Sequence, residues 1–203
     1  IILDVIQRDG KRAEEEDRYL CNISPATYLE KYRKLLPERI RGQQFLERFG
    51  ETPDPVTEVD PGETYTVRRG TEHPIYENHR VESFIRCLDR ARQGDRTALV
   101  EAGGLMYASH CSYGWNCGLG CHETDLIVGL VREHGPESGL YGAKVTGGGS
   151  GGTVAVLADL DAEDVVATVA EEYSDHTGLT PHIFDSSSPG ACAFGHRTYR
   201  MEP

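Results

Sequence analysis

Apolar residues recur at helical spacing through the first half of the chain. Ser24 followed by Pro25 predicts a helix start, because a serine hydroxyl caps the first turn and proline fits the first helical position. This helix is expected to end before Pro37. A second short helix is predicted over residues 38–49, with Gly50 as its stop. Together the two form an N-terminal helical extension.

Three longer helices are predicted from apolar residues at positions i, i+3, i+4 and i+7. They cover residues 75–92, 96–113 and 124–134. The first is expected to pack its apolar stripe inward, namely Val81, Phe84, Ile85 and Leu88. The second contains Gly103-Gly104, and each glycine in a helix interior costs roughly 1 kcal/mol relative to alanine. We therefore expect another backbone to approach this helix closely.

The second half of the chain changes to the two-residue period of strands. A short strand is predicted at 65–67, and four more are predicted at 141–146, 153–157, 181–185 and 194–200. One further helix lies between them, with Asp161 as its predicted cap, Asp164 at the capping-box position and Gly178 as its stop. This order predicts an α+β fold, in which an antiparallel sheet of about four strands carries helices on one face.

Charge and length exclude several classes of protein. The 203 residues include 33 acidic and 21 basic side chains, a formal net charge of −12, which excludes a nucleic-acid binder held by phosphate neutralisation. No apolar run approaches the roughly 18 residues of a membrane span, so no membrane partner is expected. The chain opens without a methionine or an export signal, and residues 11–17 are a charged run. We expect residues 1–18 to be the remnant of a preceding domain and a linker, and residues 19–203 to form one cytoplasmic domain.

The six cysteines are irregularly spaced, at Cys21, Cys87, Cys111, Cys117, Cys121 and Cys192. We interpret them as reduced thiols of a cytoplasmic protein. Cys111, Cys117 and Cys121 lie near two histidines, but their spacings of five and three do not match the paired CxxC motifs of zinc sites. We expect no metal site, and the alternative of a metal at these three cysteines stays open.

A glycine-rich loop is the most informative motif. Five of the six residues from Gly147 to Gly152 are glycine, and predicted strands lie on both sides. A hairpin turn needs two such residues, so the longer run favours a loop whose amides face a bound anion with no Cβ atoms in the way. A flexible linker is the alternative. The P-loop and the dinucleotide-binding motif are excluded, because a strand rather than a helix follows the glycines.

Several segments, in order, resemble one known family. Residues 142–153, GAKVTGGGSGGT, resemble the C-terminal glycine-rich motif of the GHMP kinases, the superfamily of galactokinase, homoserine, mevalonate and phosphomevalonate kinases. Residues 104–113 and 123–128 resemble two helices of the galactokinase branch. Three further segments resemble L-arabinokinases more than galactokinases, namely residues 36–40 (LPERI), 71–78 (TEHPIYEN) and 187–191 (SSPGA). The similarity covers the chain from about residue 19 to residue 200.

The resemblance implies a ferredoxin-like C-terminal domain of an ATP-dependent sugar kinase. Such an enzyme transfers the γ-phosphoryl group of ATP, with Mg²⁺, to the anomeric hydroxyl of a monosaccharide. The serine-rich ATP loop of the family's N-terminal domain, and its catalytic aspartate and arginine, have no counterpart in these residues. We therefore expect no catalytic residue in this chain and no activity from it alone. A non-catalytic sugar sensor or scaffold is the alternative function.

The resemblance also implies site residues. The expected phosphate or substrate loop consists of Thr146, Gly147, Gly148, Gly149, Ser150, Gly151 and Gly152. Ser109, His110 and Lys144 are candidates for positions near the substrate. Strand alternation leaves open that Lys144 points to solvent, and His110 is better interpreted as a hydrogen-bonded core histidine than as a proton carrier.

Overall fold

The fold is described from a computed structural model of the chain. The structure describes residues 1–2, 4, 19–50, 52, 56–148, 152–185, 193, 195 and 197–198. Of the expected site residues, Gly149, Ser150 and Gly151 lie outside this part of the chain, as does Cys192.

The N-terminal extension is a run of short helical turns. After a 3₁₀ turn at Leu20–Asn22, α1 (Pro25–Thr27) continues into a π-helical turn at Tyr28–Tyr32 and a 3₁₀ turn at Arg33–Leu35. The Ser24 hydroxyl accepts a hydrogen bond from the Thr27 amide at 3.1 Å, which confirms the predicted helix start.

The second predicted helix begins later than expected. β1 (Ile40–Arg41) pairs antiparallel with β2 (Thr64–Tyr65), and this pairing takes the residues that would form its first turn. α2 therefore covers Gly42–Phe49, and it ends at Gly50, whose φ of 75° lies in the left-handed region.

Three long helices follow, as predicted, with shifted ends. They are α3 (Val67–Arg92), α4 (Thr97–Cys117) and α5 (His122–His134). α3 starts eight residues before its predicted start and contains Pro74 in its interior. Its expected inward stripe is partly wrong, because Val81 and Ile85 are half exposed while Phe84 packs against α4. The buried side of α3 instead includes Thr71, Ile75 and Cys87.

The C-terminal part contains a two-stranded antiparallel sheet and one helix. β3 (Leu140–Val145) pairs with β4 (Val154–Ala158), and α6 covers Glu163–Thr177. α6 ends at Gly178 as predicted, with a φ of 71°. The predicted Asp161 cap is wrong, because Ala162 takes the N-cap position and no side chain caps the first turn.

The expected four-stranded sheet is not found in the part of the chain that the structure describes. That part contains two separate two-stranded sheets, β1–β2 and β3–β4, together with the helices, which agrees with the α+β class. Residues 181–185 are not a strand, and most of the predicted strand at 194–200 lies outside the described residues. None of the described helices is long and apolar enough to cross a membrane.

The main core joins β3 to α5 and α6. Its buried members are Val128, Leu130, Val131, Leu140, Ala143, Ala162, Val169 and Tyr173. A second cluster joins the N-terminal extension to α3, with Ile2, Ile23, Tyr28, Leu36 and Ile75 buried. β3 is buried along almost its whole length, because helices cover the surfaces that β4 leaves free.

One contact between α4 and β3 is made by backbone alone. A Cβ atom at Gly103 would lie 1.7 Å from the Tyr141 carbonyl oxygen, and one at Gly142 would lie 2.4 Å from the Gly103 Cα. Real Cβ atoms do not approach so closely, so both positions require glycine. The expected close approach at Gly103 is confirmed, whereas Gly104 has open space around it.

We predict that Gly103→Ala lowers the free energy of unfolding by about 3 kcal/mol, because the new methyl group collides with backbone that is buried and cannot move aside. Gly104→Ala is the matched control on the same helix. It has no close neighbour, and the higher helix propensity of alanine should stabilise the protein by about 1 kcal/mol. Urea unfolding measures both changes. Equal changes in the free energy of unfolding would contradict the backbone contact at Gly103.

Candidate functional site

The glycine loop connects β3 to β4. The Thr146 amide donates a hydrogen bond to the Thr153 carbonyl at 3.0 Å and closes the base of the loop. Gly147 and Gly152 have φ values of 74° and 104°, in the region that favours glycine. Gly148 is exposed, has no such φ, and has no atom within 4 Å of a Cβ built on it. The described part of the loop is therefore open to an approaching group.

Lys144, the last polar residue of β3, points toward α3 and α4 rather than into solvent. Its Nζ lies 3.3 Å from Glu77 Oε1 and 5.3 Å from the centre of the Tyr113 ring, and its side chain is 26% exposed. The alternative that strand alternation turns Lys144 to solvent is wrong, because helices cover this face of the strand as well.

Glu77 is the centre of a polar cluster between α3, α4 and β3. Its Oε1 accepts a hydrogen bond from the Ser109 hydroxyl and pairs with Lys144, while its Oε2 lies 2.7 Å from Arg80 Nε. Burial alone would raise the pKa of Glu77. The hydrogen bonds from Ser109 and Arg80 and the two cations outweigh burial, so the pKa of Glu77 lies below its ordinary value.

His110 occupies the junction of α4, α5 and β3. Its Nδ1 accepts a hydrogen bond from the Val145 amide at 3.2 Å, and its Nε2 lies 3.1 Å from Asp125 Oδ1. The side chain is 10% exposed, at the wall of a small cavity of about 160 Å³ between α4 and α5. His110 thus contacts the end of β3 directly. Ser109, its neighbour in the sequence, is connected to the end of β3 through Glu77 and Lys144.

A third set of polar contacts lies one turn further along α4. His73 Nδ1 lies 2.9 Å from the Ser112 hydroxyl, which also accepts from Asn116, and the His73 ring meets the edge of Tyr113. Burial lowers the pKa of His73, and the nearby Glu77 charge opposes this shift. These contacts tie α3 to α4 beside Lys144.

Sequence reasoning missed Glu77, Arg80 and His73. His73 and Glu77 lie in the segment 71–78, which carries part of the family resemblance, but the helix was predicted to begin only at residue 75, after His73. A continuous α3 places His73, Glu77 and Arg80 at spacings of four and three on one helix face. This spacing of polar residues could have revealed them if the predicted helix had been extended through the proline.

The cysteines do not form a metal cluster in the described residues. No group of three or more cysteine, histidine or acidic side chains there could hold a metal ion. Cys111 and Cys117 lie exposed on α4, and Cys121 is the N-cap residue of α5, with its backbone amide 3.4 Å from the Thr124 hydroxyl. A larger cavity of about 460 Å³ lies between residues 21–25 and α3.

Comparison with known proteins shows similarity to one family. Residues 95–175 match the family model of the GHMP kinase C-terminal domain. The region includes α4, β3, the glycine loop and most of α6. The resemblance to a GHMP kinase C-terminal domain is therefore confirmed.

One relative is similar to this chain over almost its whole length. The chain is 41% identical over 200 residues to L-arabinokinase of Arabidopsis thaliana, an alignment that covers 95% of this chain and 19% of that protein. It is 37% identical over 125 residues to a galactokinase of Thermotoga petrophila and 32% identical over 120 residues to one of Bacillus subtilis. These alignments cover 60% and 59% of this chain, and 33% and 28% of the two galactokinases. The chain thus spans about a third or less of each relative.

We predict that Glu77→Gln lowers the free energy of unfolding by about 2 kcal/mol at pH 7, because Arg80 and Lys144 lose a carboxylate in a largely buried site. The pKa of Glu77 is lowered in the fold, so its contribution is complete above the ordinary value of 4.5 and is lost as the pH falls through the folded value. The difference between the wild type and the variant should therefore shrink below about pH 4.

Glu82→Gln is the matched control on α3. Glu82 is 56% exposed and lies 4.0 Å from Arg86, so this variant should change stability by less than about 1 kcal/mol. Urea unfolding between pH 3 and pH 7 measures both variants. A Glu77→Gln protein as stable as Glu82→Gln at pH 7 would contradict the role of the cluster.

Proposed function

We propose that this chain is the C-terminal part of an ATP-dependent kinase that phosphorylates the anomeric hydroxyl of a monosaccharide. The observation that carries the proposal is the similarity to L-arabinokinase, which extends over 95% of the chain and includes the glycine loop. The similarity to galactokinases supports the same chemistry. In this proposal residues 19–203 form the domain, and residues 1–18 belong to the part that precedes it.

The glycine loop would contact the transferring phosphoryl group or the sugar. Phosphoryl transfer depends mainly on positioning and on neutralising negative charge, rather than on covalent chemistry by the protein. Backbone amides of a loop without side chains can approach the phosphoryl oxygens closely. The open space around Gly148 supports this role for the loop from Thr146 to Gly152.

ATP and Mg²⁺ would be the cofactors. The open loop at Gly147, Gly148 and Gly152 fits the phosphate end of ATP, because no neighbouring atom fills the space where side chains would stand. Mg²⁺ would neutralise charge on the phosphates. The described residues contain no group of three or more acidic, histidine or cysteine side chains that could hold a metal ion. The five described cysteines are free thiols, which supports a cytoplasmic location.

We expect the full-length protein to form a sugar 1-phosphate from ATP and either L-arabinose or D-galactose. Phosphorus NMR of the product distinguishes the anomeric phosphate from phosphates at other hydroxyls. Saturable sugar binding without turnover would contradict the kinase and favour a sugar sensor. This chain alone, tested beside the full-length protein, should give no product.

A substitution at Gly148 tests the loop. Because Gly148 has open space and needs no unusual φ, Gly148→Val should leave the free energy of unfolding within about 0.5 kcal/mol of the wild type. If the loop contacts the phosphoryl group, the valine side chain should obstruct that contact, and the same variant should lose activity about 100-fold, a loss as large as that of one preorganised donor.

Gly70→Ala, at an equally open and exposed position on α3, is the matched control and should keep full activity. Thermal unfolding and turnover are measured on the same preparations. A folded Gly148→Val enzyme with normal turnover would mean that the loop is merely a connection between β3 and β4.

A further inference from the structure

The end of β3 carries a backbone donor that the sheet cannot satisfy. The Thr146 amide bonds to the Thr153 carbonyl, directly before β4, and hydrogen-bonding direction alternates along an antiparallel strand. The register pairs Val145 with Val154, so the Val145 N–H points away from β4. Val145 is fully buried, and a buried amide without a partner is costly.

His110 supplies the missing acceptor. α4 and β3 run alongside each other, with Gly103 against Tyr141 and Gly142 at one end and His110 at Val145 two helical turns further on. The backbone contact at Gly103 brings the helix close enough for the imidazole Nδ1 to reach the strand. The bond lies directly before Thr146 and the glycine loop.

Asp125 selects the form of the ring that can accept this bond. An imidazole Nδ1 that accepts a hydrogen bond carries no proton, so Nε2 carries the proton and donates it toward Asp125 Oδ1 at 3.1 Å. Asp125 belongs to α5, so the two hydrogen bonds join α5, α4 and the loop-bearing end of β3 in one line.

We propose that His110 is a positioning residue, which fixes the starting point of the glycine loop through the Val145 amide while Asp125 orients its ring. The proposal rests on the proposed kinase function, and it assigns His110 no contact with the substrate. A purely structural role would make His110 matter for stability but not for turnover of the folded enzyme.

Two substitutions separate these roles in the full-length enzyme. The Oδ1 of asparagine is as many bonds from Cα as the histidine Nδ1, so His110→Asn keeps an acceptor for Val145. Glutamine reaches as far as Nε2, so His110→Gln keeps more of the bulk and the reach toward Asp125 but loses the acceptor at Nδ1. We expect kcat of His110→Gln to fall about 10- to 100-fold with little change in KM, and that of His110→Asn to stay within about threefold.

Amide hydrogen exchange followed by NMR gives a readout that does not depend on activity. In His110→Gln the Val145 amide should exchange at least about tenfold faster than in the wild type, and in His110→Asn it should keep its protection. The Lys144 amide is the internal control. It belongs to the pair with Ala155 that bonds across the sheet, so it should stay protected in both variants.

If His110→Gln does not fold, Asp125→Ala replaces it. This variant keeps the ring but removes the group that orients it, and should show faster Val145 exchange and a smaller loss of kcat. Equal kcat values for the folded Asn and Gln variants, or unchanged Val145 exchange in His110→Gln, would overturn the proposal. If the wild type phosphorylates neither sugar, the proposed function fails, and exchange at Val145 alone decides whether His110 tethers the strand.

Discussion

The close contact between Gly103 of α4 and Gly142 of β3 determines how the rest of the domain is arranged. At this point the helix and the strand meet backbone to backbone, at a separation that no Cβ atom permits. Because the helix lies so near, the His110 side chain two turns further on can reach the strand. His110 bonds to the Val145 amide, and its neighbour Ser109 bonds to Glu77 of α3. A pair of larger residues at the contact would push α4 outward and break the connection between His110 and β3.

Much of this arrangement could be predicted from the sequence, where local signals are strong. The Ser24 cap, the Gly50 and Gly178 stops, the existence of the long helices and the β3–β4 hairpin follow from short-range patterns. The cost of a double glycine in a helix correctly indicated the approach of a backbone at Gly103. For the caps, stops and helices, the physical cause lies within a few residues of the signal, so one sequence is sufficient to reveal it. At Gly103 the sequence indicated a close approach but not which backbone makes it.

The predictions that failed depend on packing. Proline at position 74 favours a break, but α3 continues through it, and the helix packs into the N-terminal core on both sides, with Val67 before the proline and Ile75 after it. The inward face of α3 was misassigned at Val81 and Ile85, because the buried face of a helix depends on the elements that pack against it. The cluster around Glu77 was missed for the same reason, since it joins residues 32 and 67 positions apart that only the fold brings together.

The cluster around Glu77 places positively charged side chains near the start of the glycine loop. Glu77 meets Arg80 and Lys144, so two cations share one carboxylate. One positive charge therefore remains uncompensated among these three side chains. Lys144, one of the two cations, lies two residues before Thr146 in the sequence. In a largely buried site this charge is screened less than on an open surface. The carboxylate holds the Lys144 side chain in place, while the excess charge would favour the anion that the proposed function places at the loop. In a chain of net charge −12, the cluster is a local excess of positive charge, as the proposed approach of a phosphoryl group would require.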